Sequence, residues 1–152
     1  FNPHRTVGDF VVWTRADQPA YQLAVVVDDH HQGVTRVVRA SDLLDSTARQ
    51  LLLYRALFYV PEPAYTHLPL VIGPDGRRLA KRHGDTRIDH YRERGVAPER
   101  VVGLLARWSG IGDPGSPAPM PASEFAARLD PATIPRDPIV FSPKDDQWLR
   151  QR

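Results

Sequence analysis

An unbroken apolar run that ends in two carboxylates constrains the fold of this chain most. Residues 23–27 read L-A-V-V-V and are followed at once by Asp28 and Asp29. A short run rich in β-branched residues is typical of a strand that is covered on both faces, as in a parallel α/β sheet. Open sheets of this kind bind ligands beyond the carboxyl ends of their strands. The pattern therefore predicts a buried strand that ends at a binding site.

The rest of the amino-terminal half predicts more strands and one helix. Three further stretches have strand composition: residues 9–15, 34–39 and 68–72. The first of them is expected to form a hairpin with residues 23–27. Residues 47–57 predict a helix, because N-cap residues precede them and Pro61 and Pro63 follow. The sequence Pro74-Asp75-Gly76 predicts a tight turn.

The carboxyl-terminal half predicts helices instead. Four are expected: from residue 85 or 86 to 94, then 98–108, 123–129 and 142–150. Ser142 and Asp145 have the spacing of a capping box at the start of the last one. Residues 112–122 hold four prolines and predict an irregular connection. Trp108 is expected to pack in the core.

Charge is concentrated in one basic segment. Between Arg77 and Arg107 there are nine Lys or Arg residues and four Asp or Glu residues. Residues 77–85 read R-R-L-A-K-R-H-G-D, a basic loop between a predicted strand and a predicted helix, which suits a phosphate group. A polyanionic partner is therefore considered.

Composition limits the remaining possibilities. The chain has no cysteine, so neither a disulfide nor a thiolate metal site can form within it. His30 and His31 are expected in an exposed loop, no third ligand is suggested beside them, and no metal site is predicted. Apolar runs are far shorter than the roughly 20 residues of a membrane helix, and we expect a cytoplasmic protein. The chain begins at Phe1 and its only methionine is Met120, so we expect it to be a portion of something longer.

Four blocks, in order, resemble one family. They are A-V-V-V-D-D-H-H-Q-G-V-T, V-V-R-A-S-D-L-L-D-S-T-A-R-Q, H-L-P-L-V and R-L-A-K-R-H-G. Over residues 9–111 the chain is similar to the glutamyl-tRNA synthetase family of class I aminoacyl-tRNA synthetases. The D-L-L-D-S-T block favours the shortened branch of that family, which attaches glutamate to queuosine in the anticodon of tRNA(Asp).

The resemblance implies an α/β fold. Residues 1–84 are expected to be the carboxyl-side part of a Rossmann-type class I catalytic domain that ends in the R-L-A-K-R loop. Residues 85–152 are expected to be a small helical subdomain that resembles the stem-contact region. The family's first ATP motif, further glutamate contacts and zinc module lie upstream of this segment, so a zinc site is expected only outside this chain.

The resemblance also assigns roles to residues. Tyr21 matches a tyrosine that contacts the bound glutamate, and Arg39 matches an arginine that grips the glutamate side-chain carboxylate with a bidentate fork. Lys81 matches a catalytic lysine that offsets charge on the triphosphate during adenylate formation. The ATP-binding loop comprises Arg78, Leu79, Ala80, Lys81 and Arg82. The implied partners are glutamate, ATP with Mg²⁺, and tRNA, and the protein is expected to be a monomer.

Several positions depart from the family pattern. Arg78 and Ala80 stand where the loop motif has lysine and serine. Gln18, Ala40 and Phe58 stand where relatives usually have glycine, and each replacement costs on the order of 1 kcal/mol if those glycines have positive φ. Ala40 matters most, because it adjoins Arg39.

Two other functions are compatible with the sequence. One is an ordinary glutamyl-tRNA synthetase, truncated at both ends, that charges tRNA(Glu). The other is a remnant that binds nucleotide or RNA without catalysis. The segment by itself is expected to have little or no turnover, because half of the nucleotide pocket lies upstream.

Overall fold

The protein folds into two compact units, which meet in the sequence between Leu68 and Pro69. The structure is a computed structural model that describes residues 7–80, 84 and 86–151. In these residues it contains helices α1 (Tyr21–His31), α2 (Leu44–Ala56), α3 (Ile88–Glu93), α4 (Pro98–Trp108), α5 (Ala122–Arg128) and α6 (Pro143–Arg150), and strands β1 (Arg36–Ala40), β2 (Ala64–Leu68), β3 (Val71–Ile72) and β4 (Ile139–Val140). None of the helices in this part of the chain could cross a membrane.

The first unit is built on a parallel pair of strands. β1 pairs with β2 in a register that sets Arg39 opposite His67 and Val37 opposite Tyr65. Because side chains alternate between the faces of a strand, these four residues share one face. Helix α2 supplies side chains that bond to Arg39 on this face, and α1 packs against α2. The strand predicted at residues 34–39 and the helix predicted at 47–57 are both confirmed, with β1 ending one residue later and α2 beginning three residues earlier.

The strand predicted at residues 23–27 is wrong, because these residues belong to helix α1. A five-residue apolar run has no periodicity that separates a strand from a buried helix segment. Here Val26 is fully buried and a helix is the form that packs against α2, so tertiary packing overrides the β propensity of the valines. Asp28 and Asp29 consequently lie in the last turns of a helix, not at the end of a strand, and His30 and His31 are helical as well.

Helices α1 and α2 end in the same way. The Val34 N–H donates to the Asp29 carbonyl at 2.9 Å and the Gly33 N–H to the His30 carbonyl at 3.1 Å, with Gly33 at φ +68°. These bonds define a Schellman motif, in which a left-handed residue closes the helix. At the end of α2 the left-handed residue is Phe58, at φ +56°. Positive φ is therefore confirmed at Phe58.

The other two positions expected to replace glycine carry no such strain. Ala40 has an extended backbone, with φ −72° and ψ 154°, which any residue adopts. In the turn near residue 18 the left-handed residue is Asp17, at φ +56°, instead of Gln18. Aspartate tolerates this conformation better than most residues. The backbone beside Arg39 is thus relaxed.

Two strand predictions need further correction. Residues 9–15 contribute only one antiparallel bridge, between Trp13 and Pro19, because the chain after the turn continues into α1 and offers no strand to pair with. The strand predicted at residues 68–72 is divided between β2 and β3, and Pro69 between them has no N–H to continue a ladder. β2 pairs in the first unit and β3 in the second.

The helices of the second unit agree with the sequence. Helix α4 has Pro98 in its first turn, and α6 begins with the predicted capping box of Ser142 and Asp145. The cap of α3 differs: Arg87 occupies the N-cap and makes no side-chain cap bond. The core contains the buried residues Tyr91, Leu104, Phe141 and Leu149, with Trp108 packed against them as predicted.

The proline-rich connection is irregular, as predicted, yet part of it packs tightly. Met120 is 7% exposed, and its N–H donates to the Glu99 carbonyl at 2.9 Å. A Cβ placed on Gly103 of α4 would lie 1.9 Å from the Ala118 carbonyl oxygen. Glycine therefore lets the connection run directly against the helix.

Candidate functional site

The guanidinium of Arg39 is the centre of a polar network in the first unit. Its Nη1 donates to Gln50 Oε1 at 2.7 Å. Its Nη2 donates to Thr47 Oγ1 at 2.8 Å and to the Leu43 carbonyl at 3.2 Å. Its Nε donates to His67 Nε2 at 3.4 Å. Acceptors from α2, from the turn before it and from β2 thus hold one cation.

A second layer of amides holds Gln50 in place. Gln50 is 1% exposed, and its Nε2 donates to Gln22 Oε1 at 2.9 Å. Gln22 Nε2 in turn donates to the buried Ser46 hydroxyl at 3.0 Å. Each amide accepts on its oxygen and donates from its nitrogen, so the buried polar atoms are satisfied. The relay connects α1 to the Arg39 network through α2.

His67 has a defined tautomer in this arrangement. An arginine Nε–H can only donate, so His67 Nε2 is an acceptor and its ring proton lies on Nδ1. The Thr47 hydroxyl, 3.0 Å from the same nitrogen, then donates to His67 while it accepts from Arg39. Burial lowers the pKa of His67, and the positive charge of Arg39 lowers it further. A neutral imidazole therefore fits both its hydrogen bonds and its surroundings.

An aromatic ring covers one side of the cation. The Arg39 guanidinium carbon lies 4.9 Å from the ring centroid of Tyr65, a distance typical of a cation–π contact. Burial chiefly raises the pKa of Tyr65 to about 12, so the phenol is uncharged near neutral pH. The Tyr65 and His67 rings stack with an interplanar angle of 8°. Arg39 thus packs on a neutral aromatic surface.

The hydrogen bonds account for four of the five N–H groups of Arg39. Both Nη2 hydrogens, the Nε hydrogen and one Nη1 hydrogen have acceptors. Among the residues that the structure describes, no acceptor meets the second Nη1 hydrogen. One charged donor of Arg39 therefore has no hydrogen-bond acceptor among the described residues. The bidentate grip stays a prediction, and it requires Nη2 or Nε to release a present partner.

The other predicted glutamate ligand, Tyr21, lies in the same unit. It is the first residue of α1, and 55% of it is exposed. Its neighbour Gln22 belongs to the relay that ends at Arg39. The helix that presents Tyr21 is therefore fixed to the Arg39 network by hydrogen bonds.

The aspartates singled out in the sequence have a different position from the one predicted. Asp28 is exposed and Asp29 is half-buried, both near the carboxyl end of α1. Burial is the main cause that raises the pKa of Asp29, while Arg39 lowers it and Asp28 raises it. Asp29 therefore lies near enough to Arg39 for their charges to interact, on the α1 side of the Arg39 network. No cluster of three or more metal-type side chains occurs within residues 7–80, 84 and 86–151.

The predicted ATP loop begins in the second unit. The Leu79 N–H donates to the Val71 carbonyl at 3.1 Å, and the Leu79 side chain packs against the hydrophobic core. Arg78 and Ala80 are exposed. Leu79 therefore anchors the start of the loop. The remaining predicted loop residues, Lys81 and Arg82, lie outside the described residues.

Sequence reasoning missed the polar side chains that hold Arg39. Gln22, Thr47, Gln50 and His67 were given no role, although three of them lie within blocks that carry the family resemblance. Thr47 and Gln50 are three residues apart, which sets them on the same side of a helix. That spacing was the available indication.

The chain matches a known protein family over most of its length. The model of the family described as tRNA synthetases class I (E and Q), catalytic domain, matches residues 1–132. The chain therefore belongs to this family. Its fold is similar to that of the glutamate-tRNA synthetase of Elizabethkingia anophelis, with a TM-score of 0.76 and 27% identity over 95% of this chain and 32% of that one. The predicted class I synthetase fold is thus confirmed.

Individual relatives show which members of the family the chain resembles. The chain is 54% identical to the glutamyl-Q tRNA(Asp) synthetase of Symbiobacterium thermophilum over 132 residues, covering 87% of this chain and 40% of the relative. It is 42% identical to glutamate–tRNA ligase 1 of Rubrobacter xylanophilus over 138 residues, covering 91% of this chain and 32% of the relative. The resemblance to glutamyl-Q tRNA(Asp) synthetases is confirmed. The chain spans 40% or less of these two relatives.

Proposed function

We propose that this chain is part of an ATP-dependent ligase that activates glutamate and transfers it to queuosine of tRNA(Asp). The observation that carries the proposal is the fixed guanidinium of Arg39, which keeps one charged donor available. Membership of the class I synthetase family and relatives named for this activity support it. The whole activity belongs to a protein of the length that those relatives have.

Arg39 and Tyr21 are proposed to bind glutamate. A carboxylate bonded to a guanidinium gains a charge-assisted hydrogen bond, which is roughly twice as strong as a neutral one. The amide of glutamine gains no such charge term. Arg39 is therefore expected to select glutamate over glutamine, and the exposed Tyr21 to contact the bound amino acid.

Lys81, with Arg78, Leu79, Ala80 and Arg82 of the same loop, is proposed to bind ATP. Mg²⁺ enters with the nucleotide as the counter-ion of its phosphates. A glutamate carboxylate oxygen attacks the α-phosphorus, the bond to pyrophosphate breaks, and a loop ammonium offsets the charge that develops. This chemistry requires positioned charge and no protein nucleophile.

The two parts of the chain are proposed to have different roles. Residues 1–84 would contribute to amino-acid activation, and residues 85–152 would contact the RNA as a stem-contact-like subdomain. We propose a monomeric, cytoplasmic enzyme, with any zinc site outside this chain.

Amino-acid activation is the first test. Glutamate-dependent ATP–pyrophosphate exchange should occur with the full-length protein, and Lys81→Ala should reduce it about 100-fold, the effect of removing one transition-state charge contact. Lys144→Ala is the matched control, because Lys144 is the other lysine of this chain and is exposed on α6. No exchange in the wild type would instead support a non-catalytic nucleotide- or RNA-binding remnant.

Transfer is tested separately. Radiolabelled glutamate should be incorporated into queuosine-containing tRNA(Asp) and not into tRNA(Asp) that lacks queuosine. The alternative is a glutamyl-tRNA synthetase, which the 42% identical glutamate–tRNA ligase 1 makes worth testing. Glutamylation of tRNA(Glu) at its 3′ end, without labelling of queuosine, would establish that alternative.

A further inference from the structure

The best-connected group in the first unit that has no assigned function is the pair Thr47 and His67. Thr47 lies on α2, while His67 lies on β2 in register with Arg39. The Thr47 hydroxyl accepts from Arg39 Nη2 at 2.8 Å and lies 3.0 Å from His67 Nε2. The same His67 nitrogen accepts from Arg39 Nε at 3.4 Å. The three side chains form a closed triangle.

Each bond in the triangle depends on the others. Arg39 donates to both partners, which leaves the Thr47 hydroxyl hydrogen directed to His67. Protonation of Nε2 would place a hydrogen between His67 and two groups that now donate to it, beside a permanent positive charge. The triangle is therefore complete only when His67 is neutral with its proton on Nδ1.

The triangle decides which Arg39 hydrogens already have acceptors. Nε and Nη2 are occupied by His67, Thr47 and the Leu43 carbonyl, and Gln50 takes one Nη1 hydrogen. A long arginine side chain otherwise samples many rotamers, and ordering it on binding costs free energy. A guanidinium that is held before binding avoids this cost.

We propose that Thr47 and His67 are positioning residues that hold Arg39 in the orientation that binds the glutamate side chain. The proposal rests on the proposed function of Arg39 and extends it to two residues that need not touch the substrate. Gln50 supports the same guanidinium from the opposite nitrogen, and the Gln22 relay fixes Gln50.

Thr47→Val tests the proposal with the least change of shape. Valine has the volume of threonine but neither accepts from Arg39 nor donates to His67. The KM for glutamate should rise about tenfold, as expected for losing one hydrogen bond to a charged group. The KM for ATP and kcat should change less than twofold, because ATP is proposed to bind at Lys81 and its loop and not at these three side chains. Thr47→Ser keeps the hydroxyl and should restore the wild-type KM for glutamate.

Thr66 provides a matched control. Thr66→Val makes the same substitution on β2, the strand that carries His67, but the Thr66 side chain lies on the opposite face of that strand from His67. This variant should keep the wild-type KM for glutamate. An equal rise of KM in both variants would overturn the positioning role, since it would reflect a general effect of valine in this unit.

The pH profile reports on His67. Because burial and Arg39 lower the pKa of His67 from the ordinary value of 6.5, KM for glutamate in the wild type should rise only as pH falls below about 6.5. His67→Gln, which keeps an acceptor but does not titrate, should flatten the rise. The charged or titratable groups around the triangle are Arg39, Tyr65 and Asp29, with Tyr54 and Glu62 near Tyr65 and Asp28 near Asp29. All of these groups are still present in His67→Gln, so a rise that persists unchanged there would come from another group and would overturn the His67 part.

The possible failures can be told apart. Wild-type protein without glutamate-dependent exchange removes the proposed function and the inference with it. An active wild type in which Arg39→Gln keeps the same KM for glutamate removes the assignment of Arg39. An active wild type that loses affinity in Arg39→Gln but not in Thr47→Val overturns the positioning role alone. A higher KM for glutamate in both Arg39→Gln and Thr47→Val, with the wild-type KM restored in Thr47→Ser, supports the positioning role.

Discussion

Replacing Phe58 with glycine is expected to stabilise the protein. Phe58 occupies the left-handed position of the Schellman motif that ends α2, at φ +56°. The Tyr59 N–H donates to the Tyr54 carbonyl at 2.9 Å and the Phe58 N–H to the Arg55 carbonyl at 3.2 Å. Gly33 fills the same position at the end of α1. Phe58 therefore places a β-carbon at a position where the motif favours glycine.

The expected gain is the balance of three terms. A β-carbon in the left-handed region costs about 1.5 kcal/mol. Glycine returns about 0.7 kcal/mol of this, because it makes the unfolded chain more flexible. The ring is 89% exposed, so deleting it costs only about 0.3 kcal/mol, roughly a tenth of full burial. The free energy of unfolding should therefore rise by about 0.5 kcal/mol.

Urea unfolding followed by far-UV circular dichroism measures this change. Phe58→Ala is the control, because it removes the ring but keeps the β-carbon. The glycine variant should exceed the alanine variant by about 0.8 kcal/mol, which is the strain term less the entropy term. Gly33→Ala should lower the free energy of unfolding. A Cβ at this position meets no atom within 4 Å, so the loss comes only from the positive φ.

Equal stability of Phe58→Gly and Phe58→Ala would refute strain at this position. A large loss in both variants would instead show that the exposed ring is needed for stability. A third outcome is that Gly33→Ala lowers the free energy of unfolding while Phe58→Gly does not raise it. In that case, a β-carbon is strained in the motif at the end of α1 but not in the motif at the end of α2.

Two further predictions concern the second unit. Gly103→Ala should lower the free energy of unfolding by about 2–3 kcal/mol or more, because the new Cβ would overlap the Ala118 carbonyl. Gly115→Ala is the control: measured in the same urea titration, it should change the free energy of unfolding by less than about 0.5 kcal/mol. Asp145→Ala should cost about 2–4 kcal/mol, because it removes the carboxylate half of the α6 capping box and leaves the largely buried Arg107 without its carboxylate. Asp145→Asn, which keeps an acceptor for the cap, should lose less, and an equal loss would contradict the capping contribution.

The starts of α4 and α6 in the second unit were predictable because local chemistry determines them. Pro98 has a φ that suits a first helical turn, and Ser142 bonds to backbone and side chain within three residues. Such preferences act over a few residues, and the sequence contains all the atoms concerned. The family resemblance rested on blocks in order and was equally accessible from the sequence.

The identity of α1 was decided by tertiary structure. Valines at residues 25–27 favour a strand locally, but the segment buries Val26 and connects to α2 through Gln22. Gly33 indicated a helix end nearby, yet glycine also marks turns between strands, so it did not separate the two forms. Packing against α2 made the choice.

The sequence by itself determined the chemistry available in the first unit: a permanent cation at Arg39, for which the family pattern predicts a carboxylate ligand. Only the tertiary structure decided which side chains hold that cation. Gln50, Thr47 and His67 reach Arg39 from two different elements, at separations of 8 to 28 residues. Hydrogen bonds over such separations leave no periodicity in a sequence, because they depend on how a helix is placed on a sheet.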